Sequence, residues 1–140
     1  MAWIEVYNLK KDTNHVADVQ HATLTTKEFG IEPTHGLFGS TEWWRHIDNQ
    51  SLPVHTLKGE IQRLYMASMN DWAMFEMRAD DGSLHQFTQQ VSRSACSLDE
   101  PYLVGRKIEV DFVWQNARKD APDWGLPNET QVVIAIRIEP

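Results

Sequence analysis

The chain has 140 residues, one cysteine, and 13 Lys and Arg against 20 Asp and Glu, a net charge of −7 with its six histidines neutral. That length suits one domain. A single cysteine excludes a disulfide scaffold, and no apolar run approaches the ~20 residues of a membrane-spanning helix. The start, Met1-Ala-Trp-Ile-Glu-Val, lacks the basic and long apolar stretches of a secretory signal, so the expectation is a cytoplasmic, soluble protein.

Trp3 to Leu9 alternates weakly and reads as a strand, and Lys10 to Asn14 as a turn. Val16 to Thr26 has no clear period. Phe29 to Gly39, with Gly30, Pro33, Gly36 and Gly39, reads as loop. Ser40 or Thr41 then offers an N-cap and Glu42 a first-turn acid. A short helix is expected over Thr41 to Asn49, ending before Pro53. Trp43 and Trp44 stand ~100° apart on it, so one surface cannot bury both fully. Residues 1–53 hold too few aliphatics to fold alone and are expected to be an extension packed on a larger body.

From Val54 onward the chain reads as strands. In Val54 to Met66, Leu57, Ile61 and Tyr65 share one parity, and Gly59 marks a bulge or bend. Ala67 to Asp71 is a turn. Trp72 to Ala79 places Ala73, Phe75, Met77 and Ala79 on one side, with Glu76 and Arg78 on the other. Asp80-Asp81-Gly82 closes a hairpin. A two-residue turn would set Phe75 opposite Thr88. A three-residue loop with Gly82 left-handed sets Phe75 opposite Phe87 and Glu76 opposite Gln86, pairing apolar with apolar and polar with polar. The second register is the expected one, and it leaves His85 half-buried on the Met77 side.

Gln90 to Glu100 is a polar crossover. Lys107 to Trp114 alternates most clearly, with Ile108, Val110, Phe112 and Trp114 inward. Gln115 to Glu129, carrying Pro122, Gly125 and Pro127, reads as a long loop. Thr130 to Glu139 is the last strand, with Val132, Ile134, Ile136 and Ile138 on its core face. On this reading, truncating Ile134 to Ala costs about 2–5 kcal/mol.

Five strands, the first bent at a glycine, predict a mainly β fold. The expected form is a small five-stranded Greek-key barrel of the OB type over residues 54–140, with an N-terminal extension and one short helix, all within a single domain of residues 1–140. A β-sandwich or another small barrel is the alternative.

Motifs that carry chemistry are sparse. The histidines, His15, His21, His35, His46, His55 and His85, match no zinc pattern. Cys96 has only Arg93 as a local cation, and Gly36-Leu-Phe-Gly39 lacks the Lys-Ser/Thr tail of a phosphate loop. No catalytic residue, metal or cofactor is expected. A small metal-dependent enzyme built from His15, His21 and His35 is one alternative, and a single-stranded nucleic-acid-binding barrel another. Against the latter, the basic pairs Lys10-Lys11, Arg106-Lys107 and Arg118-Lys119 each have an acid beside them, which opposes phosphate-driven binding.

The compositional excess is tryptophan, six in all. In an OB-type barrel Trp72 and Trp124 fall in the two loops that flank the ligand face. Asn70, Asp71 and Arg118 are expected near them, with Glu76, Arg78 and Gln86 on the face between. The plain alternative makes both indoles plugs of the barrel ends. The favoured reading is a non-catalytic binding module for a protein partner, whose acidic surface suits a basic one. An inhibitor-like or immunity-like role is among those that fit.

Overall fold

The computed structural model describes residues 3–25, 30–31, 33–67, 72–92, 98–116 and 129–140. In chain order its elements are β1 (Ile4–Asn8), α1 (Thr13–Thr25), α2 (Thr41–Asp48), β2 (His55–Met66), β3 (Ala73–Ala79), β4 (Leu84–Thr88), β5 (Lys107–Asn116) and β6 (Glu129–Glu139). The strands form one antiparallel sheet in the order β1-β6-β5-β2-β3-β4. The fold is mainly β, as the alternating segments imply. Within the sheet, β5-β2-β3-β4 is a Greek key: three consecutive strands, with a fourth returning beside the first.

Two expectations need correction. The sheet has six strands rather than five, because the N-terminal segment joins it: β1 lies beside β6, with Ile4 opposite Ile138 and Asn8 opposite Ala135. There are also two helices rather than one. α1 occupies the stretch that shows no hydrophobic period. Its threonines are accommodated by back-bonding: the Thr23 and Thr25 hydroxyls donate to the carbonyls of Val19 and His21, at 2.8 and 2.7 Å. α2 begins as expected, with the Ser40 hydroxyl accepting the Trp43 N–H at 3.2 Å.

The chain divides into two compact units. The first comprises Met1–Asn8, Thr56–Asp111 and Ile134–Pro140; the second comprises Leu9–His55 and Phe112–Val133. The core of the first is built from Val6, Ile61, Phe75, Met77, Ile108, Val110, Ile136 and Ile138, all fully buried. Its hairpin has the expected register, with Phe75 opposite Phe87, Glu76 opposite Gln86 and His85 opposite Met77. Gly82 sits at φ +89°, and the Ala79 N–H donates to Ser83 O at 2.8 Å. Gly59 serves a close approach rather than a bulge: a Cβ there would lie 2.0 Å from Arg78 O. The irregularity comes later, between Ile61 and Arg63, and it turns Arg63 and Tyr65 to face Glu76 and Met74. Tyr65 is therefore not on the parity of Ile61.

In the second unit Trp43 and Phe38 are buried with ring centroids 4.9 Å apart. Trp44, one position on, is only half-buried, and Lys10 Nζ lies 4.8 Å over its ring. Alternation breaks at Phe112 and Val113, which are both buried in succession. The shift turns Trp114 outward, 40% exposed against the inward position expected, and sends Gln115 inward, where its Oε1 accepts the Trp43 indole N–H at 3.0 Å. In β6, Ile136 and Ile138 are buried while Val132 and Ile134 are half-buried. β1 pairs only with the stretch from Ala135 to Ile138, so the first half of β6 lacks that neighbour. No helix among the described residues is long and apolar enough to cross a membrane.

Candidate functional site

In the first unit the outer surface of β2, β3 and β4 gathers the residues with recognition chemistry. The alternation of β3 puts Met74, Glu76 and Arg78 on one side, and the register sets Arg63 and Tyr65 of β2 and Leu84, Gln86 and Thr88 of β4 beside them. Glu76 accepts from Gln86 Nε2 at 2.8 Å and from Arg63 Nε at 3.3 Å. Those two bonds, the Gln86 bond foremost, hold its carboxyl below the usual carboxylate range. The Arg63 guanidinium lies 4.2 Å over the Tyr65 ring.

Trp72, just ahead of β3, donates its indole N–H to Met74 Sδ at 3.2 Å and leaves 52% of its surface exposed. Leu84, opposite Arg78, is 53% exposed. At the hairpin tip Asp80 and Asp81 are exposed, and Ser83 bonds to Asp81 and keeps it readily ionised. The result is an exposed Trp72, a half-buried Tyr65 under the Arg63 guanidinium, and a polar row around Glu76. Those are the residue types that dominate binding energy at protein interfaces.

Of the residues expected to form a site, Trp72, Glu76, Arg78 and Gln86 fall on this surface. Asn70, Asp71, Arg118 and Trp124 lie outside the described residues. Arg63 and Tyr65 escaped sequence reasoning, because the bulge that reverses their parity leaves no mark in the alternation.

Along β5 and β6 the charges of the same unit satisfy one another. Arg137 grips Asp111 with Nη1 and Nη2 at 2.8 and 3.0 Å and also bonds to Glu109 at 3.0 Å, while Thr56 donates to Asp111 at 2.7 Å. Burial opposes charge on Asp111, but the Arg137 and Thr56 bonds outweigh it and hold the carboxyl below its ordinary value. A surface so internally paired offers little to a ligand.

The histidines do not assemble into a centre. His15 and His21 are exposed on α1, and His35 packs edge-on against His46 with centroids 5.3 Å apart. Among the described residues no three His, Cys, Asp or Glu lie close enough together to hold a metal ion. Cys96 and Arg93 lie outside the described residues.

Comparison with protein families matches residues 4–139 to the family described as Immunity protein RhsI2. The chain belongs to the RhsI2 immunity protein family. Comparison with curated proteins gives no match. Membership in the RhsI2 family makes the chain a protein-binding module, so the β2–β3–β4 face is to be weighed as a surface for a protein.

Proposed function

We propose that this RhsI2-family chain neutralises a toxin domain by binding it, without catalysis of its own, through the outer face of β2, β3 and β4. The observation that carries the reading is the family match over residues 4–139. Trp72 is the proposed anchor. Glu76, Arg78 and Gln86 supply polar contacts, and Asn70, Asp71, Arg118 and Trp124 are proposed as further ligand contacts. The net charge of −7 favours a basic toxin, whose approach it accelerates. The proposed compartment is the cytoplasm. The proposed barrel type is OB, supported by the Greek-key strand order.

The test co-expresses the chain with each toxin domain of the source genome in turn, scoring growth, and then measures the affinity of the rescuing pair. Rescue from one toxin is expected. Trp72→Ala, at an exposed position, should weaken binding by about thirtyfold or more, the scale of an interface hot spot, without lowering the Tm. Absence of rescue from any toxin overturns the immunity reading; rescue with full affinity in the Trp72 variant moves the site to another face.

A further inference from the structure

The sheet ends in two edges, β1 and β4, and the chain treats them differently. β1 carries a register shift between Glu5 and Tyr7, and its main chain is engaged on the side away from β6: Ser92 donates its N–H to Val6 O at 2.7 Å, and its hydroxyl accepts the Asn8 N–H at 3.0 Å. β4 reads Leu84-His85-Gln86-Phe87-Thr88. It has no lysine, no proline and no bulge, and its register with β3 is unbroken from Met74↔Thr88 to Arg78↔Leu84. Those are the devices by which natural sheets keep an edge from pairing.

Two hydrogen bonds fix the phase of that edge: Ala79 N–H to Ser83 O at 2.8 Å, and Gln89 N–H to Ala73 O at 3.0 Å. In an antiparallel ladder bonded pairs recur every second residue. His85 and Phe87 therefore turn their main-chain groups toward β3, while Leu84, Gln86 and Thr88 turn theirs away. The Thr88 carbonyl accepts the Gln90 N–H at 2.9 Å. The outward N–H and C=O of Leu84 and Gln86 meet no strand among the described residues.

We infer that the β4 edge takes up an extended basic segment of the toxin as an added strand, completing the main-chain ladder at Leu84 and Gln86. The inference rests on the immunity reading above and names how its surface engages the partner. Charge selects the occupant. The edge starts at Asp80 and Asp81, both exposed, and a second copy of this chain would bring −7 against −7, whereas a basic segment is attracted. Side chains of the added strand would lie beside Leu84, Gln86 and Thr88, in line with Glu76, Met74 and the exposed Trp72. Main-chain bonds then supply affinity, and Leu84, Gln86 and the exposed Trp72 supply specificity.

The decisive pair of variants is Gln86→Pro and Gln86→Ala, assayed against the toxin domain that the wild-type chain neutralises. Proline removes an N–H that the sheet itself does not use, which an edge strand tolerates. Alanine removes only the side chain. Gln86→Pro should bind about a hundredfold more weakly than wild type and at least about tenfold more weakly than Gln86→Ala, which loses only the side-chain contact. Hydrogen exchange on the unmodified chain guards against misfolding of the proline variant. The Leu84 and Gln86 amides should exchange quickly when free and slow by about a hundredfold in the complex, while His85 and Phe87 are slow in both.

Neutralisation with those two amides unchanged overturns the added strand and leaves the immunity reading intact. Failure to neutralise any toxin removes both. A concentration-dependent dimer that Gln86→Pro abolishes would give the edge to a second copy and overturn the proposal.

Discussion

Gln115 is the residue whose burial asks most of its surroundings. It is 3% exposed, and its amide oxygen is matched to the single donor of the Trp43 indole. An unmatched buried amide loses its water without a replacement bond. Trp43→Phe keeps an aromatic ring beside Phe38 but strands the Gln115 oxygen. It should cost about 1–3 kcal/mol in urea unfolding, as for other buried polar groups deprived of a partner. Adding Gln115→Leu to Trp43→Phe should recover part of that loss, because an apolar side chain needs no donor. A double variant no more stable than Trp43→Phe alone would show that packing, rather than the hydrogen bond, sets the cost.

At the scale of elements, β5 and β6 are joined by Arg137 clasping Glu109 and Asp111. Arg137→Ala leaves two partly buried carboxylates facing each other and should destabilise by about 1–3 kcal/mol at neutral pH. The pH dependence has a definite sign. Asp111 is held below its ordinary value, so its contribution is full above about pH 4 and fades as pH falls through the lowered value. Wild type and variant should differ by the full amount above about pH 4 and converge as pH falls below it, read from urea midpoints at a series of pH values.

Elements also mark what the sequence discloses. The hairpin was legible because pairing Phe75 with Phe87 and Glu76 with Gln86 discriminates between two registers, and α2 because Ser40 and Glu42 announce its start. α1 was not, since threonines that bond back onto their own helix look like helix breakers when read singly. Nor were the Gln115 pairing and the Arg63–Tyr65 part of the candidate face. Both follow from a change of parity, at Phe112–Val113 and at the bulge after Ile61, and alternation read by eye continues through such a change. Ile134 shows the same limit for burial: parity names a face, while the absence of a β1 neighbour decides how deeply the residue is covered.

For the whole molecule the governing quantity is charge. With −7 spread over 140 residues, encounter with the proposed basic toxin should be electrostatically steered. Raising salt from ~50 to ~500 mM should lower kon by about tenfold or more while changing koff little, measured by stopped-flow fluorescence. A salt-independent kon would remove basicity from the description of the partner. The β1–β6 pairing adds a constraint in time. Ile4 meets Ile138 and Asn8 meets Ala135, so one side of the sheet forms only after segments near opposite ends of the described chain have found each other. Long-range pairing of this kind places folding toward the slow, millisecond-to-second end of small domains. On the proposed immunity role, neutralisation rests on chains already folded, because a chain leaving the ribosome has still to pair β1 with β6.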